Sequence, residues 1–448
     1  MTQDLAALSH ALLDAARKAG AEAADTLAIE GRSVMIDVRE GELEQAERSE
    51  STDLGLRVLI GRKQAIVSAS DTRPETLALM AERAVAMARE APDDPHAGLA
   101  DPSQLTQDTG SAALDLFDPA PEPAAEALRD MALEAESAAR AISGVSQVQS
   151  ASASYGWNDI HLASTNGFSA GYARTGSSVS CVAIAGEGTG MERDYDGDSR
   201  TYAADLRSPA EIGRSAGQRA AAALNARQPK TGTYPVLFDE RISSSLIGHL
   251  LSAANGGAVA RGSSWLMNRL GEQVLPEALS IIEDPFRPRI GGSRPFDAEG
   301  LPTARRAIVQ NGVLTGWTLD LASARKLGLQ STGNATRGPS SPPSPSNWNI
   351  ALTQGQQSRE ELMADMGTGL LVTSMIGSTI NPNTGDYSRG ASGFWIENGE
   401  IAYPVNECTI AGNLHDMLLR IRPANDARTY LSRVVPSLLI DGMTLAGS

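Results

Sequence analysis

The densest grouping of reactive side chains in this 448-residue sequence is Ser243-Ser-Ser-Leu-Ile-Gly-His249, where hydroxyls and an imidazole share one short stretch. Serine beside histidine is the composition of a nucleophile and its base. On a regular helix Ser244 and His249 are five residues apart, ~500° of rotation and so about 140° off a common face, whereas Ser245 and His249 share a face. No oxyanion-hole signature accompanies them, and a polar helix face carrying one histidine is the preferred reading. Two carboxylates, Asp297 and Glu299, stand in Pro295-Phe-Asp-Ala-Glu-Gly-Leu-Pro302. In an extended segment they would face the same side, as an acid and base require. Gly300 and Pro302 mark a turn, however, and turn carboxylates usually accept from backbone amides, so a structural role is preferred. Arg261, after Gly256-Gly-Ala-Val-Ala, suits a carboxylate or a partner chain. A lone arginine is more often a surface or interface residue.

Other chemistry-bearing patterns are missing. There is no GxxxxGK(S/T), GxSxG or HExxH. Gly186-Glu-Gly-Thr-Gly190 lacks the helix start and lysine of a phosphate cradle and reads as a loop. The histidines (10, 96, 161, 249 and 415) are scattered beyond ligand spacing. Cys181 and Cys408 belong to no CxxC or Cys/His cluster and read as buried free thiols, which fits a reducing cytoplasm.

The elements that must position these residues can be read from periodicity. Residues 3–19 form an amphipathic helix with Leu5, Leu8, Leu12 and Leu13 on one face and His10 solvated. From Ser33 to Ser70 the period becomes two (Val34, Ile36, Val38; Leu54, Leu56, Val58; Ile66), with turns at Gly41 and Gly61-Arg62. A capping box, Thr72-Arg-Pro-Glu75, opens a helix running to Ala91. After a Pro-, Asp- and Ser-rich stretch over 92–121, the order recurs: a helix over 123–142, alternating segments over 145–204, and a helix opened by Ser208-Pro-Ala-Glu211. Helix–meander–helix appears twice, which points to a structural duplication. Beyond residue 229, the strand Tyr234-Pro-Val-Leu-Phe-Asp239 feeds a helix over 241–254 that ends at Asn255-Gly256-Gly257 as a C-cap. Asn311-Gly312 and Asn398-Gly399 are hairpin turns, residues 338–346 an extended loop, and a last helix over 413–421 precedes a strand over 438–440. The fold class is α+β: two N-terminal helix–antiparallel sheet–helix modules (1–108 and 122–228, joined by a linker over 109–121) and a larger mixed domain over 229–448.

Composition sets the outer bounds. At about 150 residues per domain, the length suits roughly three folding units. A formal charge of −16 argues against nucleic acid as a partner. No run reaches the ~18 apolar residues of a membrane span. Asp4, His10, Asp14, Arg17 and Lys18 interrupt any secretion-signal core. With 41% hydrophobic but 4% aromatic residues, the core must be built from aliphatic side chains and alanine.

Taken together, Gly312-Val-Leu-Thr-Gly, Ser323-Ala-Arg-Lys-Leu-Gly-Leu, Ser331-Thr-Gly-Asn, Thr384-Gly-Asp-Tyr-Ser, Gly393-Phe-Trp-Ile-Glu-Asn-Gly-Glu-Ile and Thr409-Ile-Ala-Gly-Asn-Leu resemble the PmbA (TldE) branch of the TldD/PmbA family. Asp53-Leu-Gly-Leu-Arg-Val extends the resemblance into the N-terminal half. The resemblance implies a cytoplasmic zinc peptidase built from a TldD-type and a TldE-type subunit, acting on unfolded or small peptides. In the TldD-type subunit an HExxxH motif supplies two histidine ligands and the glutamate that activates water, and a later cysteine is the third ligand.

Laid on this chain, that motif falls on 244–249: Ser244 replaces the first histidine, Ser245 the glutamate, and His249 alone remains. The region expected to hold the cysteine, 424–435, has none, and Cys408 lies too early to be promoted. Serine is a poor zinc ligand and no carboxylate replaces the base. The resemblance therefore implies a TldE-type subunit with no zinc or other cofactor of its own, the zinc residing in a TldD-type partner. His249, Arg261, Asp297 and Glu299 are candidate cleft or partner contacts, and extended peptide is the expected substrate, held as an added strand on a sheet edge. The alternatives are a stand-alone peptide-binding or modulator protein, as a homo-oligomer if the partner is absent, and an autonomous serine hydrolase using Ser245 and His249.

Overall fold

A computed structural model describes residues 4–448, with 378 and 379 as backbone only. The first helix, α1 (Leu5–Ala19), is capped by the Asp4 carboxylate, which accepts from Ala7 N, and stopped by Gly20 at φ +102°. Gln3, the first residue of the expected helix, lies outside the described residues. Strands β1 (Ala23–Arg39), β2 (Glu42–Ile60) and β3 (Lys63–Ala69) form the meander, followed by α2 (Pro74–Glu90). The unit recurs as α3 (Ala125–Arg140), β4 (Val145–Ser164), β5 (Ser169–Ala185), β6 (Glu192–Arg200) and α4 (Pro209–Ala222). The two meanders join edge to edge through an antiparallel β1–β4 pairing, giving one sheet of order β3-β2-β1-β4-β5-β6. That palindromic order is the internal duplication in three dimensions. β1 starts ten residues before the expected Ser33, because Ala24, Thr26 and Ala28 bury small side chains that alternate only weakly.

Two caps differ from expectation. Pro74 takes the first helical position of α2, so Arg73 is the N-cap, and Asp71, not Thr72, accepts from Arg73 N and the Thr76 hydroxyl. Ser208 does cap α4 by accepting from Glu211 N, but the Glu211 carboxylate pairs with Arg207 instead of closing the box.

All four helices cover one face of the sheet. Ala24, Ala28, Leu54, Leu56 and Val58 pack under α1 and α2, and Val34, Ile36, Val38, Ala153 and Cys181 under α3 and α4. Because strand side chains alternate, Asp25, Leu27, Ile29 and Arg57 stand on the other face, towards the C-terminal domain. The stretch between α2 and α3 has no long helix or strand, yet it is pinned: Leu114 and Leu116 pack with Phe168, Tyr172 and Phe296.

The C-terminal domain runs β7 (Gly232–Phe238), α5 (Glu240–Ala253), α6 (Gly256–Ala260), β8 (Ile281–Glu283), β9 (Arg306–Gln310), β10 (Val313–Leu314), α7 (Leu321–Leu327), β11 (Ala335–Thr336), β12 (Ser344–Pro345), β13 (Ile350–Leu352), α8 (Arg359–Met366), β14 (Gly369–Ile380), β15 (Asp386–Glu397), β16 (Glu400–Asn413), α9 (Leu414–Leu418), β17 (Arg422–Pro423), β18 (Arg433–Val434) and β19 (Leu438–Ala446). Strands β16-β15-β14-β7-β19 form a ring, since β16 also pairs with β19. Closure removes the free edges an open sheet would offer. β7 is central, its Val236 and Phe238 in the core shared with α5 and its Leu237 in the one under α8, which is why it reads as an unbroken apolar run. Asn311 and Gly312 both have positive φ, as do Asn398 and Gly399, giving the tight hairpins expected of them. Asn255 does not end α5; its side chain accepts from Gly257 N and so opens α6. The 338–346 loop contains the two-residue strand β12, paired with β11. Among the described residues, no helix is long and apolar enough to cross a membrane.

Small residues set the helix spacing in the second module. An added Cβ at Gly213 on α4 would lie 1.9 Å from the Ala135 carbonyl oxygen of α3, whereas one at Gly176 on β5 would meet nothing within 4 Å. Gly213→Ala should therefore destabilise the chain by about 1–3 kcal/mol through overpacking. Gly176→Ala should stay within about 0.5 kcal/mol of the parent. Urea melts of the two variants decide this, and equal midpoints would refute close α3–α4 packing.

Candidate functional site

The helix that carries the serine–histidine stretch, α5, is fixed at its N-terminus by charge. Asp239 caps it, accepting from Arg241 N at 3.1 Å and from Arg359 Nη1 at 3.0 Å. Arg241 reaches β6, donating to Asp194 at 2.7 Å and to the Tyr195 carbonyl at 3.0 Å. Glu240 accepts from Arg428 Nε at 2.7 Å. These contacts line a cleft of about 380 Å³ between the second module and the ring, walled by α4, β6, β14 and β15.

Further along α5, Ser243 is buried, and its hydroxyl lies within reach of the Glu240 and Val435 carbonyls. Ser245 donates to the Ile242 carbonyl at 2.7 Å, an intrahelical bond that occupies its proton. Ser244 is half-buried. His249 packs edge-on against Tyr387 of β15 with ring centroids 6.0 Å apart, and its buried Nε2 has no partner among the described residues. Ser245 and His249, on one face by spacing, are thus not hydrogen-bonded to each other. Burial pushes the imidazole below its ordinary pKa, and the nearby Arg389 guanidinium adds to the effect. Arg433, from the 424–435 region, lies across the same turn: a Cβ on Gly248 would sit 3.2 Å from its Nη1. Two guanidinium groups therefore flank the turn that ends at His249. Neither arginine carried a signal in the sequence, since each reaches α5 from a distant strand.

Asp297 and Glu299 come together at the junction of the domains. Asp297 is buried and accepts three backbone N–H groups, from Glu299 and Leu301 at 2.9 Å and Ala335 at 3.0 Å. Glu299 is also buried and accepts from Leu321 N at 2.9 Å, holding the start of α7. Arg261 ends α6 and is exposed, far from this pair in sequence, and its side chain makes no hydrogen bond among the described residues. Cys408 is buried, and its thiol, pushed up to about 11 by burial, donates to the Ala391 carbonyl. Cys181 is likewise buried and pushed up to about 12. His10 and His161, far apart in sequence, approach to 6.3 Å between ring centroids and meet across the Ser169 hydroxyl, while His161 Nδ1 also contacts Ser9.

Burial raises the Asp297 carboxyl to about 6 despite its backbone donors. Glu299 is raised well above the usual range, by burial first and by Asp297 second, against the pull of Arg57. A carboxyl raised in the folded state contributes stability that is complete below its unfolded pKa and lost as pH climbs through the folded value. Glu299→Gln keeps an acceptor for Leu321 and removes the charge. The variant should match the parent near pH 4–5 and be the more stable of the two at pH 8, the gap opening as pH rises and the parent's buried carboxyl has to ionise. Urea melts across that range test this, and a variant that is less stable at pH 8 would show that Glu299 is needed as an anion.

Known proteins share both the sequence and the fold. Family models described as PmbA/TldA metallopeptidase domain 1, central domain and C-terminal domain match residues 24–88, 118–224 and 231–447. The chain is 38% identical over 415 residues, 92% of its length and 90% of the other's, to Metalloprotease PmbA of Escherichia coli O157:H7. A Bacteroides thetaiotaomicron protein described as a candidate modulator of DNA gyrase superposes with a TM-score of 0.90 at 27% identity, over 100% of both chains. TldE from Thermococcus kodakarensis shares the fold at 21% identity and a TM-score of 0.84, covering 98% of this chain and 99% of that one. On these matches, the chain belongs to the PmbA/TldD metallopeptidase family.

Proposed function

We propose that this chain is the TldE-type, metal-free partner of a TldD-type zinc peptidase subunit in the breakdown of unfolded or small peptides. The observation that carries the reading is the composition of the α5 turn. Where the resemblance expects two imidazoles, a glutamate and a thiolate, the turn offers Ser244, a Ser245 hydroxyl donated to its own helix, and His249, with Arg389 and Arg433 alongside. This set does not suit zinc. Zinc wants three nitrogen, sulfur or carboxylate donors and an open position for water. Two guanidinium groups add positive charge where a dication would lie. No catalytic step is assigned to these residues.

The retained fold gives such a subunit structural work. The cleft of about 380 Å³ beside α5 is walled partly by strand backbone, as suits extended peptide. An added strand on β6 would meet Arg241 and Arg219, which already donate to the Tyr195 carbonyl on that strand. Peptide seated in this cleft and enclosed by a partner chain is therefore favoured over extension of the N-terminal sheet at its β6 edge.

Purified alone, the chain should carry far less than one zinc per molecule and hydrolyse no peptide. Adding a TldD-type chain should give a stable one-to-one complex with zinc near one per complex and peptidase activity. Near-stoichiometric zinc in the isolated chain, together with hydrolysis abolished by His249→Ala, would overturn the assignment. A peptide-binding homo-oligomer that ignores a TldD-type chain would favour the stand-alone modulator.

A further inference from the structure

Two histidines that are distant in the chain meet where the duplicated modules join. His10 stands on α1 of the first module, His161 on β4 and Ser169 on β5 of the second. β4 is the strand that links the modules, and His161 pairs there with Ala28 of β1. The Ser169 hydroxyl is 3.1 Å from His10 Nε2 and 3.4 Å from His161 Nε2, so both ring nitrogens face one oxygen. On the far side of the His161 ring, Nδ1 is 3.1 Å from the hydroxyl of the buried Ser9. His161 is itself largely buried, whereas His10 and Ser169 are exposed, so the pair is reached from solvent on its Nε2 side.

A serine hydroxyl has one proton and cannot donate to both imidazoles at once. It donates to one ring nitrogen and accepts an N–H from the other. In the tautomer that carries its proton on Nδ1, His161 donates to Ser9 and turns the Nε2 lone pair towards Ser169. A metal-ligating histidine is built the same way, its second ring nitrogen anchored by a hydrogen bond that fixes tautomer and orientation. His10 Nδ1 has no partner among the described residues, so that exposed ring can carry its proton there and present Nε2 as well. No third imidazole, thiolate or carboxylate completes a ligand set with them among the described residues.

We infer that His10 and His161 form an exchangeable site for a borderline divalent cation of the zinc class, bound through their two Nε2 atoms with Ser169 and water completing the coordination. Imidazole nitrogen suits such ions, whereas magnesium and calcium take oxygen ligands. A tetrahedral ion holding both nitrogens at ~2.1 Å would set the ring centroids roughly 5 Å apart. They stand 6.3 Å apart, so a closure of about 1 Å by the exposed His10 side chain brings both nitrogens into range. The formal charge of −16 favours cations near the surface. With two nitrogen ligands in place of the three of a resident zinc, the ion comes and goes with its supply. Once bound, it ties α1 of the first module to β4 of the second. The assignment above concerns the α5 turn, and this site uses no residue of that turn, so the two stand or fall separately.

Isothermal titration of the untagged full chain, stripped with a chelator and desalted, tests the inference with zinc chloride and magnesium chloride as probes. Zinc should bind saturably and raise the melting midpoint, and magnesium should do neither. His10→Ala removes an exposed ring, so the fold should hold, and it should weaken zinc binding at least tenfold and cancel the rise in midpoint. His161→Ala should do the same, and the double variant should lose little more, because the chelate needs both nitrogens. The largely buried His161 has a folding role as well, so His10→Ala decides the matter if the other variant fails to fold. Zinc binding unchanged in His10→Ala, or no saturable zinc binding by the parent, would mean that Ser169 alone bridges the rings and would overturn the inference. Binding lost in His249→Ala but kept in His10→Ala would overturn both this site and the metal-free reading of α5, whereas loss in His10→Ala with His249→Ala unaffected would support the site and leave that reading intact.

Discussion

One buried carboxylate joins the two halves of this molecule. Asp25 stands on the face of β1 that the helices leave bare, and accepts from Arg57 of the same sheet and from Arg337 of the C-terminal domain. Burial alone would push its proton affinity up, but the charges of Arg337 and Arg57 outweigh this and hold the carboxyl below its usual range. Truncating one member of such a buried group typically costs about 3–5 kcal/mol, because the remaining charge is left stranded. Around the weld, Arg325 donates to the His96, Gly98 and Leu99 carbonyls, and Thr201 to the Arg289 carbonyl. The sheet thus meets the C-terminal domain through directional polar contacts around a modest apolar patch, which fixes register as well as distance.

The rest of the architecture follows from how each half disposes of its sheet. The N-terminal half doubles a helix–meander–helix unit and joins the copies by β1 and β4, so the helices cover one face and the other is free to dock. The C-terminal half closes its strands into a ring, which leaves α5 packed on one face with its N-terminus pointing at β6. The cleft beside α5 therefore depends on both halves holding their relative position, and so on Asp25.

Local patterns were legible wherever the chain's own periodicity was at stake. The Asn-Gly hairpins, the amphipathic α1, the capped α4 and the repeated module could all be read because neighbours a few residues apart decide them. The cap at Thr72 was misread because Asp71 can accept from the same segment and Pro74 set where the helix begins, and Asn255 was misread because the side chain expected to close one helix opens the next. The start of β1 was missed because alanines bury well without standing out from their surroundings.

The serines at 244 and 245 and the surviving His249 are facts of sequence, and with the family motifs they carry the proposal that this turn holds no zinc. Composition and alternation also determined an α+β fold with an aliphatic core. Only the tertiary structure decided that Arg389 and Arg433 converge on that turn, that Asp297 is consumed by backbone amides, and that Arg337 is buried with two of its three guanidinium nitrogens unpartnered among the described residues. The physical reason is range: hydrogen-bonded turns and amphipathic faces arise from residues close in the chain. Charge neighbourhoods and cavities arise where segments hundreds of residues apart are brought into contact, and no spacing rule in the sequence encodes that meeting.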